Sequence, residues 1–362
     1  MDQTMVDFIN EQPQALRRIF DGRKAITAVF TRLYTEHRPD RLYLLGSGTS
    51  YNATAVSAPF MQEILGIEVF DCPSSRLPSI PANVKRPMFC VISQGGRSTN
   101  SIAAIEQYKA YPVLAITASE ESIIAKRYSD RHMLLACGPE TVGPKTKGYT
   151  TTILTFYLCA LEAALAAGVI DEGAYGAWIG KIDAMITAMS ANIERTFAWY
   201  REKEDALANT NKYVFTGKEI GQRTALESAL KILETVKYPA MAYEFEEYLH
   251  GPIMMGDEKL CLIGFVPCDA DGERMRGLLK FFRDKITPCS WAVTGDADKA
   301  CAGDLVLDIS CEKHLAPFAH ILPGQVMSAL LPARMGREDV KMQQFHDIDA
   351  VVHIKAKEED AK

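Results

Sequence analysis

The chain has 362 residues, 48% hydrophobic and 24% charged, with a formal net charge of -6 and a sequence pI of about 5.7. That length suffices for two domains of common size, and the composition is that of a globular chain. An acidic balance without a basic excess argues against a general nucleic-acid or membrane-surface binder, while leaving room for local cations around one small anion.

Nine cysteines are scattered, mostly in apolar runs, with an odd count and no CxxC. That pattern reads as buried thiols in a reducing compartment, not as disulfides or a metal site. The seven histidines show no HxH or HExxH spacing, so neither a metal nor a cofactor is expected. No apolar run reads as a membrane span, and the N-terminus lacks the apolar stretch of a signal peptide, so the expected location is cytoplasmic.

In chain order, residues 1–38 carry apolar positions at helical spacing (Phe8, Ile9, Leu16, Ile19, Phe20, Ile26, Val29, Phe30, Leu33) and read as one or two helices. A strand over 41–45 runs into Gly46-Ser47-Gly48-Thr49-Ser50 and then a helix to about 65. Residues 67–70 read as a short strand, and four prolines make 71–87 a loop. Residues 88–92 form a continuous apolar run suited to a buried parallel strand. They end in Ser93-Gln94-Gly95-Gly96-Arg97-Ser98 before a helix over 102–108. Strands at 113–117 and 133–137 follow, then a helix from about 152 to 167 and a long helical bridge over 172–208.

The grammar restarts at a strand over 213–215, a loop and a helix to about Val236. A strand-like 241–243, strands at 260–266, 289–294 and 304–309, and a helix over 272–284 complete it. The last helix, 315–334, contains Pro317, Pro323 and Pro332 and is expected to be broken, and the polar tail from Lys355 is expected to fray. The second part thus repeats the first at an offset of about 170 residues, as a duplicated α/β, doubly wound parallel-sheet architecture would.

A strand–glycine turn–helix unit places helical N–H groups at the carboxyl end of a strand, where an anion is the natural ligand. Taken alone, Gly46–Ser50 fits an ordinary capped turn equally well. A dinucleotide fingerprint is not completed, since Tyr51 stands where the last glycine would fall, and nothing ties Glu68 or Asp71 to a ribose. The second Ser/Gly loop at 93–98 makes a two-loop anion anchor the better reading. On the helix ending near Val236, Glu227, Lys231 and Glu234 share one face, which by spacing alone fits a solvated salt-bridged surface. His250 precedes the Gly251-Pro252 turn, which would project it outward.

GSGTSYN, SQGGRST, ETVGPKTKGYTTT and ALESALKILE…EFEEYLHGP, in that order, resemble the sugar isomerase (SIS) family, and in particular double-SIS proteins. These include the isomerase half of glucosamine-6-phosphate synthase and the fructosamine-phosphate deglycases. The resemblance spans about 40–335 and implies two tandem flavodoxin-like SIS domains: N-terminal helices over 1–38, a first domain over 39–200, a second over 201–335 and a tail over 336–362. It implies that Gly48, Thr49, Ser50, Ser93, Gln94, Gly95 and Ser98 hold a sugar phosphate, with Arg97 and Lys145 as added cations. It implies Glu234 as the proton-carrying base, His250, 16 positions on, as the ring-opening acid/base, and Lys231 as a supporting or imine-forming amine. The chemistry fits, because one carboxylate can carry a proton between adjacent carbons of an enediol or enolamine.

Two departures are visible. The synthase has an N-terminal glutaminase domain with a cysteine after Met1; here Asp2 follows, and no such domain is read. The synthase's C-terminal loop brings a lysine to the site, where this chain aligns Ile348, with Lys341 and His346 nearby. The resemblance therefore implies a sugar-phosphate isomerase, deaminase or deglycase acting on a phosphorylated amino sugar or a fructosamine 6-phosphate. It also implies at least a homodimer, with His250 supplied to the neighbouring subunit. The alternative is a non-catalytic sugar-phosphate sensor.

Overall fold

The computed structural model describes residues 3–309, 312–338 and 345–357. Its elements are α1 Met5–Asn10, α2 Gln12–Asp21, α3 Arg23–Ile26, α4 Ala28–His37, β1 Arg41–Gly46, α5 Thr49–Leu65, β2 Glu68–Pro73, β3 Pro87–Ile92, α6 Thr99–Tyr108, β4 Val113–Thr117, α7 Ile123–Arg127, β5 His132–Leu134 and α8 Lys147–Ala167. They continue with α9 Glu172–Ala208, β6 Lys212–Gly217, α10 Ile220–Thr235, β7 Ala240–Glu244, α11 Phe245–Leu249, β8 Leu260–Phe265, α12 Ala270–Lys285, β9 Ser290–Thr294, β10 Leu305–Val306, α13 Ala316–Arg334 and α14 Phe345–Val352.

The chain forms two compact units, each around one sheet. The first-sheet unit comprises Gln14–Thr141, Lys147–Lys181 and the described C-terminal residues; the second-sheet unit comprises the N-terminal residues through Pro13, Val142–Thr146 and the described residues from Ile182 to 338. Each sheet has five parallel strands, in the orders β2-β1-β3-β4-β5 and β10-β9-β8-β6-β7. Relabelled by position within each unit, both orders are 2-1-3-4-5, so the two units are tandem doubly wound flavodoxin-like domains. In such a sheet the order reverses between the first and third strands, and a crevice opens outside their carboxyl ends. That switch point lies between β1 and β3 in one sheet and between β6 and β8 in the other.

β3 and β8 are buried along their whole length and β1 at every residue but Arg41, as parallel strands covered on both faces must be. In the first-sheet unit Phe89 stacks between Tyr43 (4.7 Å) and Tyr108 (4.0 Å), tying β1, β3 and α6 into one aromatic layer.

Several boundaries differ from the sequence expectation. The N-terminal region is four short helices, not one or two. Pro13 sits in the first turn of α2, where its missing N–H is harmless, and Gly22 interrupts the run before α3. Helix α8 begins five residues early, across Lys147-Gly148-Tyr149-Thr150-Thr151. The Thr151, Thr152 and Thr155 hydroxyls donate to carbonyls one turn back, at 2.6, 2.6 and 2.7 Å, so this polar stretch satisfies itself inside a helix. By length and composition α8 could cross a membrane, contrary to the expectation that no run would; 83% of its apolar window is buried within the protein, as in a core helix. Helix α13 continues through Pro323 and Pro332 instead of breaking. Gly324 lets it close on α10, since a Cβ there would lie 2.6 Å from the Ser228 hydroxyl. Cys268 is disulfide-bonded, with its partner outside the described residues, which corrects the reading of all nine cysteines as thiols.

Candidate functional site

In the first-sheet unit the loops after β1 and β3 flank the switch point. Gly46 is required because a Cβ would fall 2.7 Å from the backbone of Ser50 and Tyr51. Gly48 is the N-cap of α5, at φ 57, a conformation that favours glycine. Neither Gly48 nor Ser98, the N-cap of α6, provides a side-chain cap, and at the start of α6 the Thr99 N–H donates to the Ile354 carbonyl at 3.3 Å.

Hydroxyls gather around these ends. Ser93 Oγ donates to Ser98 Oγ at 3.2 Å, and Asn100 Nδ2 donates to Ser47 Oγ at 2.8 Å, joining the two loops. Asn100 and Ser47 were not singled out from the sequence; an amide in the first turn of a helix carries no signal until the other loop is seen beside it. Gly95 is exposed with open space where a Cβ would go. Gly96 takes φ 60 and packs on Ser122, where any Cβ would clash.

Gln94 turns away from the loop opening. Its Nε2 donates to Glu140 Oε2 at 3.1 Å, and Glu140 also accepts from the Gly148 N–H at 3.1 Å. Gly148 leaves room for this, since a Cβ there would sit 2.3 Å from the Gln94 amide. Gln94 thus holds the β3 loop against the start of α8.

The tail corrects one expectation. Ser98 and Lys355 form an antiparallel bridge, the Ala356 N–H donates to Arg97 O at 2.8 Å, and Thr99 Oγ1 donates to His353 O at 2.7 Å. The segment therefore does not fray at Lys355; it lies along the second loop. The Arg97 guanidinium donates to the Ala356 carbonyl at 3.3 and 3.4 Å, clasping the tail beside the loop. Lys355 Nζ donates to Ser98 Oγ at 3.4 Å, so a tail lysine reaches the second loop. Ile348 lies in α14. Lys341 and the side chain of His346 lie outside the described residues.

In the second-sheet unit, Lys145 Nζ donates to the Val142 carbonyl at 2.7 Å within its own loop. On α10, Lys231 Nζ lies 3.3 Å from Glu227 and 2.5 Å from Glu234. Glu227 and Lys231 have side chains 1% and 0% exposed, whereas that of Glu234 is 36% exposed. This is a buried charge triad with one carboxylate at the surface, not a solvated face. Burial works to lower the Lys231 pKa, but the two carboxylates outweigh it and hold the amine above its usual range. A lysine held protonated suits positioning Glu234 better than imine formation. His250 caps the end of α11 with its backbone and is exposed; Gly251 follows at φ 133, and Met254, in the next turn, is 86% exposed.

Residues 37–162 match the family model described as the SIS domain, so the chain carries a SIS domain around its first sheet. The two five-stranded parallel sheets match the fold of two tandem SIS (flavodoxin-like) domains. The chain is 27% identical over 335 residues to a glutamine–fructose-6-phosphate aminotransferase (isomerizing) of Halalkalibacterium halodurans, covering 90% of this chain and 54% of that protein. It therefore spans about half the length of such relatives. The C-terminal domain of glucosamine-fructose-6-phosphate aminotransferase from Francisella tularensis superposes with a TM-score of 0.79 at 18% identity, covering 93% and 97% of the two chains. Tagatose-6-phosphate ketose/aldose isomerase from Escherichia coli superposes with a TM-score of 0.72 at 20% identity, covering 92% and 93%.

Proposed function

We propose that this chain is an enzyme acting on a phosphorylated amino sugar or a fructosamine 6-phosphate, as an isomerase, deaminase or deglycase working through an enediol or enolamine. The observation that carries the reading is the cradle of the Ser47, Ser93 and Ser98 hydroxyls and the Asn100 amide at the β1/β3 switch point, with Lys355 on Ser98. Two helix starts without side-chain caps, several hydroxyls and one ammonium suit a phosphate ester.

Glu234 is the proton carrier: its carboxylate removes the proton from one carbon of the enolising pair and returns it to the neighbour. Lys231 holds that carboxylate in place. His250 moves a proton to or from the ring oxygen during ring opening. Its exposure, together with that of Met254, supports a homodimer in which His250 serves the partner subunit. Mixed dimers of Glu234→Gln and His250→Ala chains should then regain activity that neither variant has alone; failure to regain it would refute the sharing.

The direct test is incubation with fructose 6-phosphate plus ammonia, with glucosamine 6-phosphate, and with fructosamine 6-phosphates, following products by mass spectrometry. Turnover of one of these, abolished by Glu234→Gln, supports the reading. Binding of all without turnover of any would favour a sugar-phosphate sensor.

A further inference from the structure

The second sheet has its own switch point, between β6 and β8, and a cavity of about 590 Å³ opens there. All its lining residues belong to the second-sheet unit. The backbone repeats the elbow of the first sheet: the N-cap of α10 has φ 46, where that of α5 has φ 57. The first elbow uses Gly48; the second uses Glu219, a residue with a Cβ held in a conformation that disfavours one. A carboxylate thus stands where the phosphate loop has no side chain.

The charged groups of the rest of the lining are mostly acidic. Glu244, Asp269, Asp271 and Glu312 join Glu219, against Lys218 and Lys313. Lys218 is engaged by Asp271 at 3.0 Å, while Glu244 and Asp269 cap the N-termini of α11 and α12. Glu219 makes no side-chain cap at the start of α10. Facing the cavity from α13 is His320, 5% exposed, stacked on Phe265 at 5.1 Å, with neither ring nitrogen hydrogen-bonded among the described residues. Buried polar groups ordinarily have partners, so an imidazole with two idle nitrogens facing a cavity points to a ligand. Burial pushes its pKa down to about 3, so it stays neutral and offers one donor and one acceptor.

We propose that this cavity binds a small hydroxylated primary amine, its ammonium at Glu219 and a hydroxyl at His320, and that it excludes phosphate. The two switch points would then have opposite charge selectivity on one duplicated backbone. The inference is independent of the reaction proposed above.

The test uses the full chain labelled with ¹⁵N-histidine and titrated with D-glucosamine, D-glucose and inorganic phosphate. Glucosamine should shift the His320 ring signals, identified by their loss in His320→Gln, and phosphate should not. Glu219→Gln should weaken glucosamine binding about tenfold or more, the loss of one charge-assisted hydrogen bond. Equilibrium dialysis of radiolabelled glucosamine against wild type and Glu219→Gln reads the same difference without the His320 variant. The proposal is overturned if the His320 signals do not move, if glucose binds as well as glucosamine, if phosphate competes, or if Glu219→Gln binds glucosamine as tightly as wild type.

Discussion

Replacing Lys231 with methionine separates a structural role for the amine from an imine-forming one. Methionine keeps most of the stem volume, so packing loss is small. The charge loss is not, because Glu227 is 1% exposed and loses its ammonium 3.3 Å away. Removing one partner of a buried pair costs about 3–5 kcal/mol, while the contact with the part-exposed Glu234 adds less than about 1 kcal/mol. The assay is urea unfolding followed by tryptophan fluorescence in a Trp178→Phe background, because Trp199 and Trp291 then report on the second-sheet unit alone.

The deficit should depend on pH in a stated direction. In the variant, Glu227 is buried without its cation, so the folded state favours its protonated form. The deficit is fully present where the carboxylate is ionised and shrinks as pH falls toward the ordinary glutamate value of about 4.3. In the wild type, the raised Lys231 pKa gives a contribution present below the usual lysine range and lost as pH rises through the folded value. Replacing Glu227 and Lys231 together with methionine should recover most of the loss. A deficit under about 1 kcal/mol, or a double variant no more stable than the single, would refute the buried-triad account.

Glu234→Gln should lower turnover by about 10²–10⁴-fold while leaving the unfolding transition in place, since the side chain is at the surface. Ser98→Ala should raise KM for a phosphorylated substrate by about tenfold, from the loss of one hydrogen bond to a charged group, and Lys355→Gln should act in the same direction; unphosphorylated analogues should show neither effect. The depressed His320 pKa gives stability that is present above about pH 6.5 and lost progressively as pH falls toward about 3. Titrating unfolding free energy over that window should show the fall, and His320→Gln should flatten it.

Much of this protein was legible in one dimension. The apolar runs at β1, β3, β4 and β8, each followed by a turn and a helix, specify parallel strands buried on both faces, because only such strands are apolar at every position. The duplicated grammar and the two Ser/Gly loops followed from the same local patterns. Helix starts in polar sequence were not legible: the onset of α8 depends on threonine hydroxyls closing on their own helix, which no hydrophobic period records.

Tertiary structure alone decided how charged groups are used. Glu227, Lys231 and Glu234 share a helix face at a spacing that equally fits a solvated surface; burial against α13, which Gly324 lets close on α10, turns them into a triad. The Arg97–Ala356 and Ser98–Lys355 contacts join residues 259 and 257 positions apart, so Arg97 clasps the tail and Lys355 reaches the second loop only because the tail returns there. Local propensity fixes which segments are strands and helices, but whether a charge meets water, a counter-ion or a ligand depends on what the rest of the chain places beside it.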